Sequence, residues 1–201
     1  MAVSLHLSGD VEADQLISVD PLALLIGMVL DQQIPLEKAF AGPAELRRRL
    51  GGTLDVESIA TMDPDVLVAA FVDRPALHRF PAANAKRVQA LCRSVMDDYG
   101  GDAASVWTGA ADGKDLLKRV NALPGCGERK AKIFVALLGK QLAVQPRGWK
   151  SAAGEFSKSG SRQSIADITD ERSLGEVRAY KQKMKARAKA AAISADDPSS
   201  R

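Results

Sequence analysis

The stretch LPGCGERKAK, residues 123–132, is a glycine-containing turn with three cations in the five residues that follow it. Gly125 and Gly127 can both take positive φ and leave their backbone N–H groups uncovered. The second glycine stands directly before a helix pattern, so unpaired amides and the positive end of the helix dipole should point out of the turn together. Arg129, Lys130 and Lys132 add positive charge beside it. The pattern predicts a phosphate-binding turn, with a plain helix–helix connection as the alternative.

Helical patterns surround this turn on both sides. Residues 18–34 contain an Asp-Pro pair, Asp20 as N-cap and Pro21 at the first helical position, and are apolar almost all round. These features predict a central, buried helix. Pro35 ends that helix and can begin the next one, and Asp63 with Pro64 repeats the Asp-Pro start signal.

The remaining chain also favours helix over strand. Helices are predicted at residues 82–101, 114–123, 128–140 and 168–192. Only QLAVQ, residues 141–145, has a weak strand-like alternation. The segment from residue 146 to residue 170 changes character, and its part SAAGEFSKSGSRQS, residues 151–164, is small, polar and glycine-containing, which predicts a loop or an insertion. The predicted fold class is therefore all-α.

Length and composition predict an ordinary globular protein. The 201 residues suffice for one domain, residues 1–192, with residues 193–201 as a flexible tail. The net charge of +3 permits a nucleic-acid partner but does not require one. The N-terminus lacks a signal pattern, and the longest apolar run, residues 22–30, is too short to cross a bilayer. We expect a cytoplasmic monomer without a membrane partner.

The final predicted helix is strongly basic. Residues 177–192 contain no acid and six cations: Arg178, Lys181, Lys183, Lys185, Arg187 and Lys189. A solvated surface helix with favourable charge at its C-terminal end would have this composition. An electrostatic contact with phosphate is the alternative.

Three segments together resemble the HhH-GPD superfamily of base-excision DNA glycosylases. They are the LPGCG hairpin with its flanking helices, the helix at residues 82–101, and the helix that ends in Gln32, Gln33 and an isoleucine. Paired glutamines before isoleucine are typical of the alkylation-repair branch. The resemblance covers about residues 18–145.

The resemblance implies a two-lobed helical fold that binds damaged double-stranded DNA in a cleft. One lobe would span about residues 20–137 with the hairpin at 116–139, and the other would combine the N-terminus with residues 146–192. The hairpin would grip a backbone phosphate, with a monovalent cation held by its carbonyls. Gln33, together with Gln32, would enter the gap left by a flipped nucleotide; polar capping of the helix end is the alternative. The protein would associate with the nucleoid when bound to DNA.

The chain departs from the family at both catalytic positions. The lysine that forms a Schiff base in bifunctional members is replaced by Arg129, which cannot act as an amine nucleophile. Lys130 lies about 100° further round the helix. Gln145, Pro146 and Arg147 stand where the family has its aspartate. A monofunctional glycosylase without lyase activity is therefore favoured over a strand-cutting enzyme.

Two explanations account for the absent aspartate. An insertion over residues 146–165 could displace the acid, so that Asp167 or Asp170 is catalytic; otherwise Asp167 is a turn residue and Asp170 an N-cap. Alternatively the acid is lost, and the protein recognises DNA or a lesion without hydrolysis. Trp149, close to the expected active site, could stack on a flipped base or belong to the core.

The two cysteines limit cofactor chemistry. Cys92 and Cys126 form no CxxC pair, and no cysteine follows Cys126, so the four-cysteine iron–sulfur loop of some family members cannot form. We expect no metal held by side chains and no cofactor. The favoured function is DNA repair by a monofunctional N-glycosylase, the second is non-catalytic DNA binding, and the third is a protein or RNA partner.

Overall fold

A computed structural model describes residues 4–195, with side-chain surroundings for residues 4–187. That range contains eleven α-helices and two 3-10 turns and no strand, which confirms the all-α prediction. The helices are α1 Val11–Val19, α2 Pro21–Leu30, α3 Leu36–Arg49, α4 Val56–Thr61, α5 Pro64–Val72, α6 Pro81–Tyr99, α7 Ser105–Thr108, α8 Gly113–Ala122, α9 Glu128–Gln141, α10 Trp149–Ala153 and α11 Glu171–Ala195. The 3-10 turns are Gly154–Ser157 and Ile165–Asp167.

The Asp-Pro pairs begin helices as the sequence predicts. The Asp20 carboxylate accepts the N–H groups of Leu22 and Ala23 at 2.9 and 3.1 Å, and Pro21 occupies the first position of α2. Asp63 accepts the N–H of Asp65 at 2.8 Å ahead of α5. Each carboxylate satisfies amides that have no partner inside the helix, which fixes where the helix starts.

Two local expectations are wrong. Residues 141–145 form no strand, because the chain turns back and the Val144 N–H donates to Leu138 O at the end of α9. Residues 146–170 are not a simple loop, because they contain α10 and both 3-10 turns. Helix α11 continues to Ala195 and so includes the first residues of the predicted tail; residues 196–201 and the side chain of Lys189 lie outside the described residues.

Helix α2 lies at the centre of the core. Nine of its ten residues are buried, and it packs against α1, α3 and α6. Gly27 admits the ring of Phe40, because a Cβ at that position would lie 2.7 Å from the ring. Buried side chains from residue 5 to residue 177 join in one connected hydrophobic cluster. Burial of each large apolar side chain contributes about 1.5–3 kcal/mol to folding.

A second contact region joins α8, α9 and α10. Trp149 is buried there, between two glycines. A Cβ on Gly139 would come within 2.4 Å of its ring, and a Cβ on Gly113 would come within 2.5 Å of its backbone nitrogen. The glycines therefore create the space for this tryptophan, which is part of the core.

Helix α11 contacts residues from distant parts of the chain. Leu174 and Val177 are buried, and the helix packs against the Ile165–Asp167 turn. Arg178 pairs with Glu37 of α3, and Lys181 lies 3.8 Å from Asp31 at the end of α2. Among residues 4–195, no single helix is long and apolar enough to cross a membrane; α1 and α2 together pass by length and composition but meet at a bend of 115°.

Candidate nucleic-acid interface

An open cleft of about 760 Å³ separates the end of α2 and the glycine turn from α11. We call it the hairpin cleft. Its lining includes six of the residues predicted from sequence: Gln32, Gln33, Gly125, Gly127, Arg129 and Lys130. Tyr180, Lys181 and Met184 of α11 form the opposite side. The fold thus brings together segments that are about a hundred residues apart in sequence.

The two glutamines at the end of α2 face different surroundings. The Gln32 side chain is held by the protein, because its Nε2 donates to Val29 O at 3.0 Å and to Asn84 Oδ1 at 3.2 Å. Gln33 is exposed and adopts a φ of 57°. Non-glycine residues rarely adopt positive φ, and such conformations concentrate at functional sites. Gln33 is therefore the glutamine that is available to a ligand.

His78 supports the glutamine turn from inside. It is buried, and its Nε2 lies 2.8 Å from Gln32 O. The Phe80 N–H and the Asn84 amide both donate to its Nδ1, so the neutral ring with hydrogen on Nε2 satisfies all three contacts. Burial lowers the pKa of His78, with the nearby cations acting in the same direction. The sequence offered no signal for this role, because His78 lies 46 residues from its partner.

The two hairpin glycines differ: Gly125 has a positive φ, and Gly127 has a negative φ and open space around it. Gly125 has a φ of 83°, and a Cβ there would also touch Val29. Gly127 precedes α9 with a φ of −82°, so only Gly125 uses the positive φ that both glycines could adopt. Space around Gly127 is open, and no side chain caps α9. The first amides of α9 therefore face the hairpin cleft without a covering side chain.

The hairpin carbonyls could hold the monovalent cation that the family resemblance implies. Leu123 O accepts the Cys126 N–H at 3.0 Å and keeps a second lone pair. Neutral carbonyl oxygens suit a monovalent ion. Groups of three or more histidine, cysteine or acidic side chains able to hold a metal are absent from the residues that the structure describes.

The three cations after the turn have different partners. Lys130 Nζ donates to Met28 O at 2.7 Å and to Val29 O at 3.3 Å, and burial lowers its pKa. Lys132 pairs with Glu128 at 2.6 Å and does not line the hairpin cleft. The Arg129 guanidinium lies 5.1 Å from the ring centre of Phe156 and faces the cleft. Arg129 is thus the cation of this group with no acidic partner or carbonyl acceptor in the described structure.

A second groove of about 640 Å³ continues from the hairpin cleft along α11. We call it the basic groove. It shares Gln33, Ile34 and Lys181 with the hairpin cleft. Its other lining cations are Arg79, Arg178 and Lys185, and Glu37 is its only acid among the described residues. Gln33 therefore stands where the two concave surfaces meet.

Asp167 and Asp170 lie outside both surfaces. The Asp167 carboxylate is buried, with one oxygen 2.6 Å from Lys140 Nζ and the other accepting the N–H groups of Gln163 and Ser164. The Asp170 carboxylate accepts the N–H and hydroxyl of Ser173 at 2.7 Å, and these bonds hold its pKa below its ordinary value. Both carboxylates are occupied by turn and cap contacts.

Residues 145–147, where the HhH-GPD resemblance predicts an aspartate, do not line the hairpin cleft. Arg147 O accepts the Gly113 N–H at 2.8 Å, which fixes this segment against α8. Arg147 lines a different surface, together with Lys114 and Gly148. Trp149 and Asp167 line another separate pocket of about 370 Å³. The structure therefore does not bring Trp149, Asp167 or Asp170 to the predicted DNA-binding residues.

Known proteins give no further guide to the site. No protein-family model matches the chain, and no curated protein matches it significantly in sequence. The HhH-GPD resemblance therefore remains a prediction that rests on three sequence segments and their spacing.

Proposed function

We propose that the protein is a base-excision repair protein of the HhH-GPD type that binds damaged duplex DNA in the hairpin cleft. One observation carries the proposal: the glycine hairpin and the glutamine turn line the same cleft. A phosphate suits the uncovered amides at the start of α9 and the positive end of its dipole. Exposed Gln33 could then occupy the gap left by a nucleotide flipped out of the duplex.

The basic groove supports a nucleic-acid partner of extended shape. Its four cations, Arg79, Arg178, Lys181 and Lys185, continue the positive surface beyond the hairpin. Phosphate contacts of this kind position a duplex and carry no sequence information. An extended polyanion can contact both surfaces at once, which a small anion cannot.

The activity that we propose is monofunctional hydrolysis of the N-glycosidic bond. Arg129 replaces the nucleophilic lysine, and Lys130 uses its ammonium to bind α2 carbonyls. Neither residue is arranged to form a Schiff base with the sugar. Base removal without strand cleavage is the reaction left to such a cleft.

Non-catalytic recognition of DNA or lesions is the second candidate. The observation that favours it is that neither Asp167 nor Asp170 lines the hairpin cleft. To distinguish non-catalytic recognition from hydrolysis, both DNA binding and the abasic product must be measured.

The test uses duplexes that carry a single uracil, hypoxanthine, 3-methyladenine, oxidised guanine or mismatch. Heat and alkali convert abasic sites to strand breaks, and a gel shift on the same duplexes measures binding. Abasic product on one of these duplexes is the result expected of a glycosylase. Salt-sensitive binding without product would support the second candidate, and absence of binding to every duplex would contradict both.

A further inference from the structure

Base removal is accelerated by a carboxylate at the reacting sugar. Positive charge develops on the sugar as the N-glycosidic bond breaks, and a nearby carboxylate stabilises that charge or activates water. Among the described residues, only two carboxylates line the hairpin cleft, those of Asp31 and Glu128.

Glu128 is poorly suited to this role. Its side chain is 72% exposed and pairs with Lys132 one helical turn away, at 2.6 Å. The Lys132 ammonium holds the pKa of the Glu128 carboxyl below its ordinary value. A hydrated carboxylate that is paired with its own neighbour stabilises a developing charge weakly.

Asp31 has the opposite surroundings. It is the C-cap of α2, it directly precedes Gln32 and Gln33, and its side chain is only 20% exposed. Its nearest charged partner is Lys181 Nζ at 3.8 Å, beyond hydrogen-bonding distance. In the described structure its carboxylate accepts no side-chain or backbone hydrogen bond, whereas those of Asp167 and Asp170 each accept several.

The position of Asp31 is also unfavourable for stability. Carboxylates are disfavoured at helix C-termini, where the dipole is negative. Lys130 Nζ offsets this by binding the last carbonyls of α2, and Lys181 adds a second cation. Residues that break a local rule in this way are concentrated at functional sites.

From this geometry we propose that Asp31 is the catalytic carboxylate of the hairpin cleft. The inference rests on the proposed glycosylase function and identifies a residue for it. The C1′–N bond breaks, and its electron pair leaves with the base. Asp31 faces the positive sugar and accepts a proton from water, whose oxygen bonds to C1′. That proton passes on to the departing base, so one water is consumed and an abasic sugar and a free base remain.

The test compares Asp31→Asn with the wild-type protein in single-turnover reactions on a duplex from which the wild type removes the base. We expect the rate to fall about a hundredfold or more, because the lost group acts in the transition state. Gel-shift affinity should be unchanged or tighter, and the unfolding midpoint unchanged or higher. Asp97→Asn, a change of the same kind at an exposed site of α6, should match the wild type.

A second variant separates catalysis from structure. Formate should restore part of the turnover of Asp31→Ala and leave Asp97→Asn unaffected, because it returns a carboxylate to the cleft. Wild-type rates in Asp31→Asn would overturn the role of Asp31 and leave the glycosylase intact. Parallel losses of DNA binding and folding in Asp31→Asn and Asp31→Ala, without rescue by formate, would also overturn the role of Asp31. Absence of product with the wild type on every duplex would instead overturn hydrolysis itself, and Asp31 with it.

Discussion

Lys130 Nζ donates to Met28 O at 2.7 Å and so joins the helix after the glycine hairpin to the last turn of α2. The two residues are 102 positions apart. The same ammonium also reaches Val29 O, whose other partner is the Gln32 side chain. A single partly buried cation therefore holds the hairpin against the end of α2, next to the glutamine turn.

Replacement of Lys130 should weaken the fold. Lys130→Met keeps most of the apolar stem but leaves the Met28 and Val29 carbonyls without this donor. We expect a loss of about 1–3 kcal/mol in the free energy of unfolding, measured by urea titration. Lys132→Met is the matched control, because its partner Glu128 is exposed, and it should change stability by less than about 1 kcal/mol. Equal effects of the two variants would contradict the role given to Lys130.

Gly127→Val should separate DNA binding from folding. The φ of −82° suits any residue, and nothing lies within 4 Å of the added Cβ, so stability should change by about 1 kcal/mol or less. The new side chain would cover the first amides of α9, and gel-shift affinity for duplex DNA should fall. Gly175→Val, at an open position on α11 outside both surfaces, should bind as the wild type does. Unchanged binding by Gly127→Val would argue against a phosphate at this turn.

Gly125→Val should instead reduce stability. The φ of 83° at Gly125 is strained for a β-branched residue, so we expect a cost of about 1–3 kcal/mol in a thermal or urea unfolding experiment. The measurement tests whether the hairpin depends on its first glycine for backbone conformation. A variant as stable as the wild type would show that the turn tolerates another geometry.

Acid should destabilise the protein through His78. Its pKa in the folded state lies below the ordinary value of 6.5, so on acidification the unfolded chain binds a proton first. Stability from this group is fully present above pH 6.5 and is lost as the pH falls through the folded-state pKa. Urea unfolding at about pH 7.5 and about pH 5.5 should show a smaller decrease in His78→Ala than in the wild type. The same decrease in both proteins would exclude His78 as the source.

The basic groove should make DNA binding sensitive to salt. Lys185 is exposed and lines that groove. Lys185→Gln should weaken binding by a similar factor for every duplex and reduce the slope of log affinity against log salt by about one. Lys118→Gln, an equivalent change on the exposed face of α8, should leave the slope as it is. If Lys185→Gln also leaves the slope unchanged, the DNA does not contact the basic groove.

Local signals in the sequence predicted most helices but not the arrangement of the site. Asp20 and Asp63 were recognisable because a helix start depends on residues within one turn. Helix α10 was not, since Trp149 is held by Gly113 and Gly139, and contacts across such distances leave no local pattern. Gly125 was predicted from its turn and Gln33 from the resemblance to the HhH-GPD superfamily, whereas the contacts of His78 and the cleft position of Asp31 join distant parts of the chain and leave no such pattern.

The backbone hydrogen bond from the Gly113 N–H to Arg147 O limits what a substitution in this segment could do. A carboxylate introduced by Arg147→Asp would lie beside Lys114 rather than in the hairpin cleft, because the segment itself is turned towards α8. That substitution would therefore not supply the hairpin cleft with an acid. Because the path of the main chain holds this segment against α8, a carboxylate in the hairpin cleft has to come from a residue that already lines the cleft, such as Asp31.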